Sequence, residues 1–323
     1  MDRALHIPLA DIRLSLAEED RINPSLLLCV DGCGVECLFC NRPRGHGPVR
    51  ELDATTLRRL CRLAQESGAV ALQLTGGEPL RYGRALAELL ARRRQGGRHD
   101  STPFPLVLNT SLLVRRESVV AVAPLVDRVI AGAKFGNPAC AARLSRVPDA
   151  FDLYWDNLSA VRGSRVECSL RFLIIPGHLD CCLRPLLERA AKEAPDLLVT
   201  LLSGYMPPVE CPEAPEILRL LTPDEVERAV MMAKEAFGSA EPPPRGRQIG
   251  ATCKARPSRP NEAWPRPRRS EAATEQRRRW PEMAGHGLEL IIDAEGRICF
   301  STFGPAAIEM TARAFGRRED EPS

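Results

Sequence analysis

The sequence predicts an α/β fold in which six parallel strands, each followed by a helix, form an open, partial barrel. Six short, mostly apolar runs lie between residues 24 and 238, as expected for strands buried on both faces. Segments with the helical spacing of apolar residues separate these runs, and this alternation favours a parallel sheet with right-handed crossovers. Six strand–helix units are too few for a closed eight-strand barrel, so the predicted barrel is partial.

The six predicted strands end in residues that are typical of turns, chiefly Gly, Asn, Ser and Pro. In chain order they are Ser25–Val30, Ala69–Leu74, Phe104–Leu108, Arg128–Phe135, Val166–Ile175 and Leu197–Leu202. Because the carboxyl ends of parallel strands meet at one edge, the loops that follow them are expected to build the functional site there.

The predicted helices each have one apolar face. Residues 55–66, 82–93 and 182–192 repeat Leu, Ala or Cys three or four positions apart, and the face of the first includes Cys61. Another helix is expected to begin at Thr222, because Thr is a good N-cap, Pro follows at the first turn and a Glu comes three residues later.

Composition excludes several classes of protein. The chain has 323 residues, is 44% hydrophobic and 27% charged, and its net charge of +3 does not by itself indicate nucleic-acid binding. The 12 cysteines are not arranged as a small disulfide framework. The first 23 residues are rich in acids and lack the apolar core of a signal peptide, and no run is long enough to span a membrane. We therefore expect a cytoplasmic protein with neither a membrane nor a nucleic-acid partner.

Composition also divides the chain. The predicted parts are an N-terminal extension (1–23), the barrel (24–238), a Pro/Arg-rich linker (239–284) and a C-terminal hairpin and helix (285–323). Residues 241–282 hold eight Pro, eleven Lys or Arg and five Asp or Glu, which predicts a disordered tether and leaves a basic nucleic-acid arm as the lesser alternative. The hairpin pairs Leu288–Ile292 with residues 297–303 as a small appendage.

Three cysteines follow the first predicted strand with the spacing C-x3-C-x2-C. Thiolates of Cys33, Cys37 and Cys40 on one tight loop can bind three irons of a cubane cluster and leave the fourth iron open to an exogenous chelating ligand. Zinc is the alternative, with His46 as the fourth ligand, since structural zinc takes four N or S ligands. Cys29 lies within the strand and is expected to be a core thiol.

A Gly-Gly-Glu-Pro motif follows the second predicted strand. Gly76 and Gly77 allow a ligand to approach the backbone closely, and carbonyl groups there, with Glu78, offer acceptors for an amino group. An ordinary strand–helix turn is the alternative interpretation. Asn109 ends the third predicted strand at the same edge, where it is either a polar ligand of the site or a helix cap.

Together these motifs resemble the radical S-adenosylmethionine (SAM) superfamily. The resemblance covers about Asn23 to Pro208, and several stretches are similar to the pyruvate formate-lyase activating enzymes and their uncharacterised relatives. The stretches are NPSLLLCVDGCGVECLFCNRP, LQLTGGEPL, VDRVIAGAKFG, LRFLIIPGHLDCCLRPLLE and LLVTLLSGYMPP. The cysteine motif with GGEP is specific for the superfamily, whereas the later stretches are only moderately specific for the branch.

The resemblance implies a (β/α)6 radical SAM barrel with a 4Fe-4S cluster that cleaves SAM to methionine and a 5′-deoxyadenosyl radical. It implies an electron donor such as flavodoxin or ferredoxin, and a substrate from which the radical takes a hydrogen atom. By matching motifs, the three cysteines bind the cluster and the GGE residues hold the methionine amino group. Phe39 packs beside the cluster near the adenine, and Arg171 orients SAM, although a salt-bridged barrel arginine is the alternative.

The sequence departs from the activating enzymes at one position of interest. They carry Asp-x-Lys at the fourth strand, where this chain has Gly132 before Ala133 and Lys134. No tail with paired cysteines indicates an auxiliary cluster. Cys181, Cys182 and Cys211 are the remaining candidates for one, and they are interpreted rather as core or surface thiols.

Three hypotheses follow. The first is a radical SAM enzyme that acts on a peptide or protein, and the second is one that acts on a small molecule. The third is a zinc-binding interaction protein that uses the cysteine loop and the basic linker as a scaffold.

Overall fold

A computed structural model describes residues 6–15, 22–40, 50–95, 104–237, 288–292 and 298–302. Within them the strands are β1 (Pro8–Ser15), β2 (Ser25–Val30), β3 (Arg50–Glu51), β4 (Ala71–Gly76), β5 (Leu106–Thr110), β6 (Arg128–Ala133), β7 (Glu167–Leu173), β8 (Leu198–Leu202), β9 (Leu288–Ile292) and β10 (Ile298–Thr302). The helices are α1 (Ala54–Glu66), α2 (Gly83–Gln95), α3 (Arg116–Val122), α4 (Pro138–Ser145), α5 (Ala150–Gly163), α6 (Arg184–Glu193) and α7 (Pro223–Phe237). Short 3-10 turns occupy Pro79–Tyr82, Ala123–Leu125 and Pro215–Ile217, and a π turn, Leu179–Leu183, precedes α6.

One mixed sheet has the strand order β3-β1-β2-β4-β5-β6-β7-β8-β9-β10. The six strands from β2 to β8 in this order pair in parallel, which confirms the predicted core of the barrel. At one side β1 pairs antiparallel with β2 and with β3, so residues of the predicted N-terminal extension add a strand to the sheet. At the other side β9 and β10 form the predicted hairpin, and β9 continues the sheet by pairing antiparallel with β8.

Local sequence explains the helix positions. Asp53 caps α1 by accepting a hydrogen bond from the Thr56 amide at 2.6 Å, and the buried residues of α1 are those of its predicted apolar face. At α7 the predicted capping box is present: the Thr222 hydroxyl accepts from the Glu225 amide (3.2 Å) and the Glu225 carboxylate accepts from the Thr222 amide (3.0 Å). Helix α6 begins at Arg184, later than predicted, because the π turn occupies the preceding residues.

The two faces of the parallel strands differ in chemistry. Leu72, Leu108 and Phe172 belong to the large core shared with the helices. The opposite, inner face holds a small apolar cluster that includes Ala71 and Ile130. Polar side chains, among them Gln73, Ser169 and Thr200, also lie on the inner face, which is the side on which a barrel holds a ligand.

Several predictions concern residues outside those that the structure describes. The predicted linker at 239–284, the predicted C-terminal helix and His46 lie there. The predicted domain boundaries therefore stay predictions. Of the helices in the described part of the chain, none combines the length and apolar character needed to cross a membrane.

Candidate functional site

The cysteine loop, residues 33–40, leaves the carboxyl end of β2 at the edge where the sequence predicts the site. Cys33 and Cys37 are half-buried and Cys40 is exposed. The loop is held by two backbone hydrogen bonds: the Cys40 amide donates to the Cys37 carbonyl at 3.1 Å, and the Leu38 amide donates to the Leu144 carbonyl of α4 at 2.8 Å. Three thiols are thus presented on one anchored loop, as ligands to three irons of one cluster must be.

Phe39 anchors the loop from the protein side. Its ring is buried and lies 5.9 Å from the ring of Phe135 and 6.4 Å from that of Tyr205, centroid to centroid. Phe135 follows β6 and Tyr205 follows β8, so this aromatic cluster joins the loop to the carboxyl ends of two other strands. The predicted position of Phe39 beside the cysteines is consistent with this packing, and its contact with an adenine stays a prediction.

Gly76 and Gly77 bring the end of β4 against the start of the cysteine loop. The Gly77 amide donates to the Val30 carbonyl (2.9 Å) and the Glu78 amide to the Gly32 carbonyl (3.1 Å). A Cβ atom on Gly77 would overlap the Gly32 carbonyl oxygen, and one on Gly76, where φ is +111°, would overlap the Val30 amide. The glycines therefore permit the backbone of the motif to approach the cysteine loop, in addition to any role toward a ligand.

Glu78 is fully buried, and its carboxylate accepts four hydrogen bonds from other groups of the protein. One carboxylate oxygen accepts from the Leu80 amide (3.1 Å) and the Thr110 hydroxyl (2.7 Å), and the other from the Ser111 amide (2.8 Å) and hydroxyl (2.7 Å). These four donors use the four acceptor positions of a carboxylate. Glu78 thus ties the end of β4 to the end of β5 and fixes the backbone of the GGEP motif.

Asn109 and Arg171 both lie on the inner face of the sheet. Asn109 lies within β5, whereas the predicted strand stops at Leu108, because β5 extends two residues beyond the apolar run. Asn109 pairs with Ile130 of the inner cluster. Arg171 of β7 is buried and pairs with Gly132 and with Thr200. Both predicted residues therefore face the same space, on the two strands, β5 and β7, that flank β6.

The inner face also carries polar atoms that have no hydrogen-bond partner among the described residues. These are Gln73 Oε1, Ser169 Oγ and Thr200 Oγ1, each fully buried. Buried polar atoms normally have a hydrogen-bond partner, so three orphans on one face indicate a polar ligand or water there. This arrangement fits a polar molecule such as SAM, whose amino, carboxylate and ribose groups need partners.

Positively and negatively charged groups both lie near the cysteine loop. Burial raises the pKa of Cys33; the Val35 amide and the Lys134 ammonium lower it, whereas Glu78 and Cys40 raise it. Lys134 follows β6 two residues after Gly132, the position at which the sequence departs from the activating enzymes. The lysine thus lies near enough to the first cysteine to act on its charge.

The sequence interpretation missed one group of side chains. Cys140 of α4 comes together with His178, Cys181 and Cys182 of the segment after β7, with their ligating atoms within 4.8 Å of one another. Cys181 and Cys182 were interpreted as core or surface thiols, with a metal site as the lesser alternative. Cys182 is buried in the core, and α4 brings Cys140 to both of them. His178, Cys181 and Cys182 have the spacing i, i+3, i+4, which is a signal for one face of a helical turn. Cys211 is a core thiol, as expected.

Parts of the chain are similar in sequence to known proteins. The sequence model of the radical SAM superfamily matches residues 27–190. An uncharacterised protein of Methanocaldococcus jannaschii is 25% identical over 234 residues, which cover 69% of this chain and 65% of that protein. A probable GTP 3′,8-cyclase of Methanothermobacter thermautotrophicus is 40% identical over 57 residues, covering 17% of this chain and 19% of that protein.

Among solved structures, Streptococcus suis SuiB bound to S-adenosylmethionine is similar at 15% identity and a TM-score of 0.46. The similarity covers 63% of this chain and 45% of SuiB. The chain thus spans about two thirds of the first curated relative (65%) and less than half of SuiB (45%).

Proposed function

The chain belongs to the radical SAM superfamily, and we propose that Cys33, Cys37 and Cys40 hold the 4Fe-4S cluster with which it cleaves SAM and takes a hydrogen atom from a peptide or protein. Enzymes of this family use that cluster and SAM. The family match removes the support for the zinc-binding scaffold as an account of the cysteine loop. The proposal includes a reducing, cytoplasmic setting, where thiols remain available as ligands.

The observation that carries the proposal is the junction between the cysteine loop and the GGEP motif. Two backbone hydrogen bonds, from Gly77 to Val30 and from Glu78 to Gly32, bring the GGEP backbone directly beside the first cysteine. A ligand of the open iron would thus lie next to the carbonyl groups of the glycines. Neither motif alone requires this contact, and the steric need for glycine at both positions supports it.

The bound cluster would supply the electron that splits SAM into methionine and the 5′-deoxyadenosyl radical. The chain contributes position and environment. The three thiolates would hold the cluster and leave one iron without a protein ligand, and the GGEP backbone, held by Glu78, would accept hydrogen bonds from the SAM amino group. Asn109 and Arg171 offer a donor and a positive charge on the inner face, where the Thr200 hydroxyl has no hydrogen-bond partner among the described residues. A surrounding of fixed polar groups lowers the cost of orienting the ligand.

The electron donor would approach from the exposed side of the loop. Cys40 is the exposed member of the three cysteines in the described part of the chain, so the cluster edge there is open to a partner. A small acidic or neutral redox protein such as flavodoxin or ferredoxin is the class of donor proposed. Weak, small interfaces are typical of such electron-transfer contacts.

A peptide or protein is proposed as the substrate because apolar side chains are exposed after β8, at the ligand-binding edge of the sheet. They are Met206, Val209, Leu218 and Leu220, and Val209 is 98% exposed. Exposed apolar side chains at the mouth of a site suit a chain-like partner better than a small metabolite. The resemblance of the β7 and β8 stretches to activating enzymes supports the same class, whereas Gly132 argues against pyruvate formate-lyase itself.

Deuterium transfer tests the substrate class. The reconstituted enzyme, SAM and dithionite are incubated with a fully deuterated cell extract that has been separated into peptide and small-molecule fractions. We expect deuterium in 5′-deoxyadenosine from the peptide fraction only, since the radical takes its hydrogen atom from the substrate. Deuterium from the small-molecule fraction alone would overturn the peptide assignment and favour a metabolite. The matched control replaces Cys37 with Ala, and it should give no 5′-deoxyadenosine in either fraction.

A further inference from the structure

The group formed by Cys140, His178, Cys181 and Cys182, here called the Cys3His cluster, lies apart from the three cysteines of the loop after β2. Its four ligating atoms are within 4.8 Å of one another, and no other group of this kind occurs among the described residues. Cys182 and His178 are buried, and Cys140 and Cys181 are half-buried. The proposed reaction with SAM uses none of these side chains.

Backbone geometry builds the cluster from two loops. The π turn after β7 places His178, Cys181 and Cys182 on one side, with the Cys182 amide donating to the His178 carbonyl at 3.0 Å. Such π turns are frequent at functional sites. The loop before α4 packs closely against this turn, because a Cβ on Gly136 would overlap the Cys182 backbone. Asn137 fastens the contact by donating to the Cys181 carbonyl at 2.6 Å.

The distances match those around one tetrahedral metal ion. With Zn–S near 2.3 Å and Zn–N near 2.0 Å, ligand atoms lie about 3.8 Å (S to S) and about 3.5 Å (S to N) apart. Here the Sγ atoms are 3.7 Å (Cys140 to Cys181) and 3.9 Å (Cys181 to Cys182) apart, and Nδ1 of His178 is 3.3 Å from Cys181 Sγ and 3.7 Å from Cys182 Sγ. Cubane ligands sit on different irons and so lie farther apart than ligands that share one ion.

The groups behind the cluster are those that orient metal ligands. Nδ1 of His178 faces the thiols, while Nε2 lies 3.1 Å from the carboxylate of Glu216. Glu216 is in turn paired with Arg143. A carboxylate that accepts from the far nitrogen of a ligating histidine fixes its tautomer and raises its basicity. On the thiol side, the Asn137 side-chain amide donates to Cys140 Sγ at 3.3 Å and so helps to hold this sulfur in place.

We propose that Cys140, His178, Cys181 and Cys182 bind one structural Zn²⁺ ion. On binding, three Zn–S bonds and one Zn–N bond form, and the thiol protons leave to the solvent. All four tetrahedral positions come from the protein, so the site has no open position for catalysis and acts as a clamp. Helix α4 carries Cys140 and also holds the cysteine loop through Leu144, so the ion would brace one wall of the catalytic cluster.

The first test measures zinc in the full chain without interference from the catalytic cluster. In the background Cys33→Ala, Cys37→Ala, Cys40→Ala, we expect about one tightly held zinc per chain after gel filtration with a mild chelator. Adding His178→Ala and Cys181→Ala should lower the zinc content at least about tenfold. Adding Cys61→Ala instead, a buried thiol of α1, should leave it unchanged. Loss of zinc in the three-alanine background would overturn the proposal, since the ion would then belong to the cysteine loop.

Two measurements on the unmodified chain hold even if a variant fails to fold. Zinc-edge X-ray absorption should give three sulfur and one nitrogen neighbour, and Co²⁺ in place of zinc should give the intense thiolate-to-cobalt absorption of a tetrahedral site. Iron in place of zinc at this position would contradict the assignment. A disulfide between Cys140 and Cys181, detected by mass spectrometry without reductant, would also contradict it, because their thiols would not be available as ligands.

Discussion

Replacing Glu78 by Ala removes the acceptor at the centre of the contact between the GGEP motif and β5. Four donors lose their partner: the amides of Leu80 and Ser111 and the hydroxyls of Thr110 and Ser111. The hydroxyl groups can turn toward other acceptors, whereas the two amides cannot. The two amides therefore determine the cost of the substitution.

The magnitude follows from the burial of those amides. An unsatisfied buried donor costs about 1–3 kcal/mol, so two give about 2–6 kcal/mol. Because Ser111 is half-buried and water can reach its amide, the expected loss of unfolding free energy lies in the lower part of that range, at about 2–4 kcal/mol. A folded domain is stable by only about 5–15 kcal/mol, so this loss is large. Glu78→Gln should also destabilise the protein, since an amide nitrogen replaces one of the two acceptor oxygens and one of the two pairs of donors then loses its acceptor.

Urea unfolding of the cluster-free chain, followed by circular dichroism, measures the loss. Glu88→Ala is the matched control, because the Glu88 side chain of α2 is 40% exposed and its ion pair in the described part of the chain is an exposed one with Arg84 at 3.5 Å, so about 0.5 kcal/mol or less is expected. A change below about 0.5 kcal/mol for both Glu78 variants would refute the structural role assigned to this carboxylate. A neutral Glu78→Gln with a destabilised Glu78→Ala would show that the cost is the cavity and not the hydrogen bonds.

Two other predictions follow from the contacts. Gly77→Ala should lower the iron content of the reconstituted protein, because the added Cβ would push the Gly32 backbone and displace the cysteine loop. The control Gly163→Ala should bind iron normally, since nothing lies within 4 Å of its Cβ. Equal iron content in the two variants would contradict the close approach at Gly77. The Arg219 guanidinium holds the pKa of Glu225 at about 2, below its usual 4.5, so this carboxylate stabilises the fold above pH 4.5 and the contribution is lost as the pH falls toward 2. Acid titration of unfolding should show a loss of about 1 kcal/mol over this range that is absent in Glu225→Gln, and an unchanged profile in that variant would count against the pairing.

The parts of the fold that depend on local pattern were predictable. The apolar face of α1, the capping box at Thr222 and the six parallel strands follow from residue spacing, because each element buries one face or pairs its own backbone. The cysteine loop was predictable for the same reason, since its three thiols are close in sequence.

Features that depend on tertiary contacts were not predictable from the sequence alone. Strand β1 was assigned to an extension, because its alternation is weak and only pairing with β2 defines it. Cys140 joins Cys181 across 41 residues of chain through the close approach at Gly136. The four protein donors to Glu78 also come from packing, so this structural role was not visible in the motif, and the predicted role of Glu78 toward a ligand stays a prediction.

The central claim is that Cys33, Cys37 and Cys40 hold the cluster that cleaves SAM. The most direct measurement is the formation of 5′-deoxyadenosine from SAM after anaerobic reconstitution with iron and sulfide and reduction with dithionite, without any substrate. The account predicts product from the unmodified chain and from Cys61→Ala, and none from Cys33→Ala, Cys37→Ala or Cys40→Ala. Equal product and iron content in any one of these three variants would contradict the assignment of that cysteine as a cluster ligand.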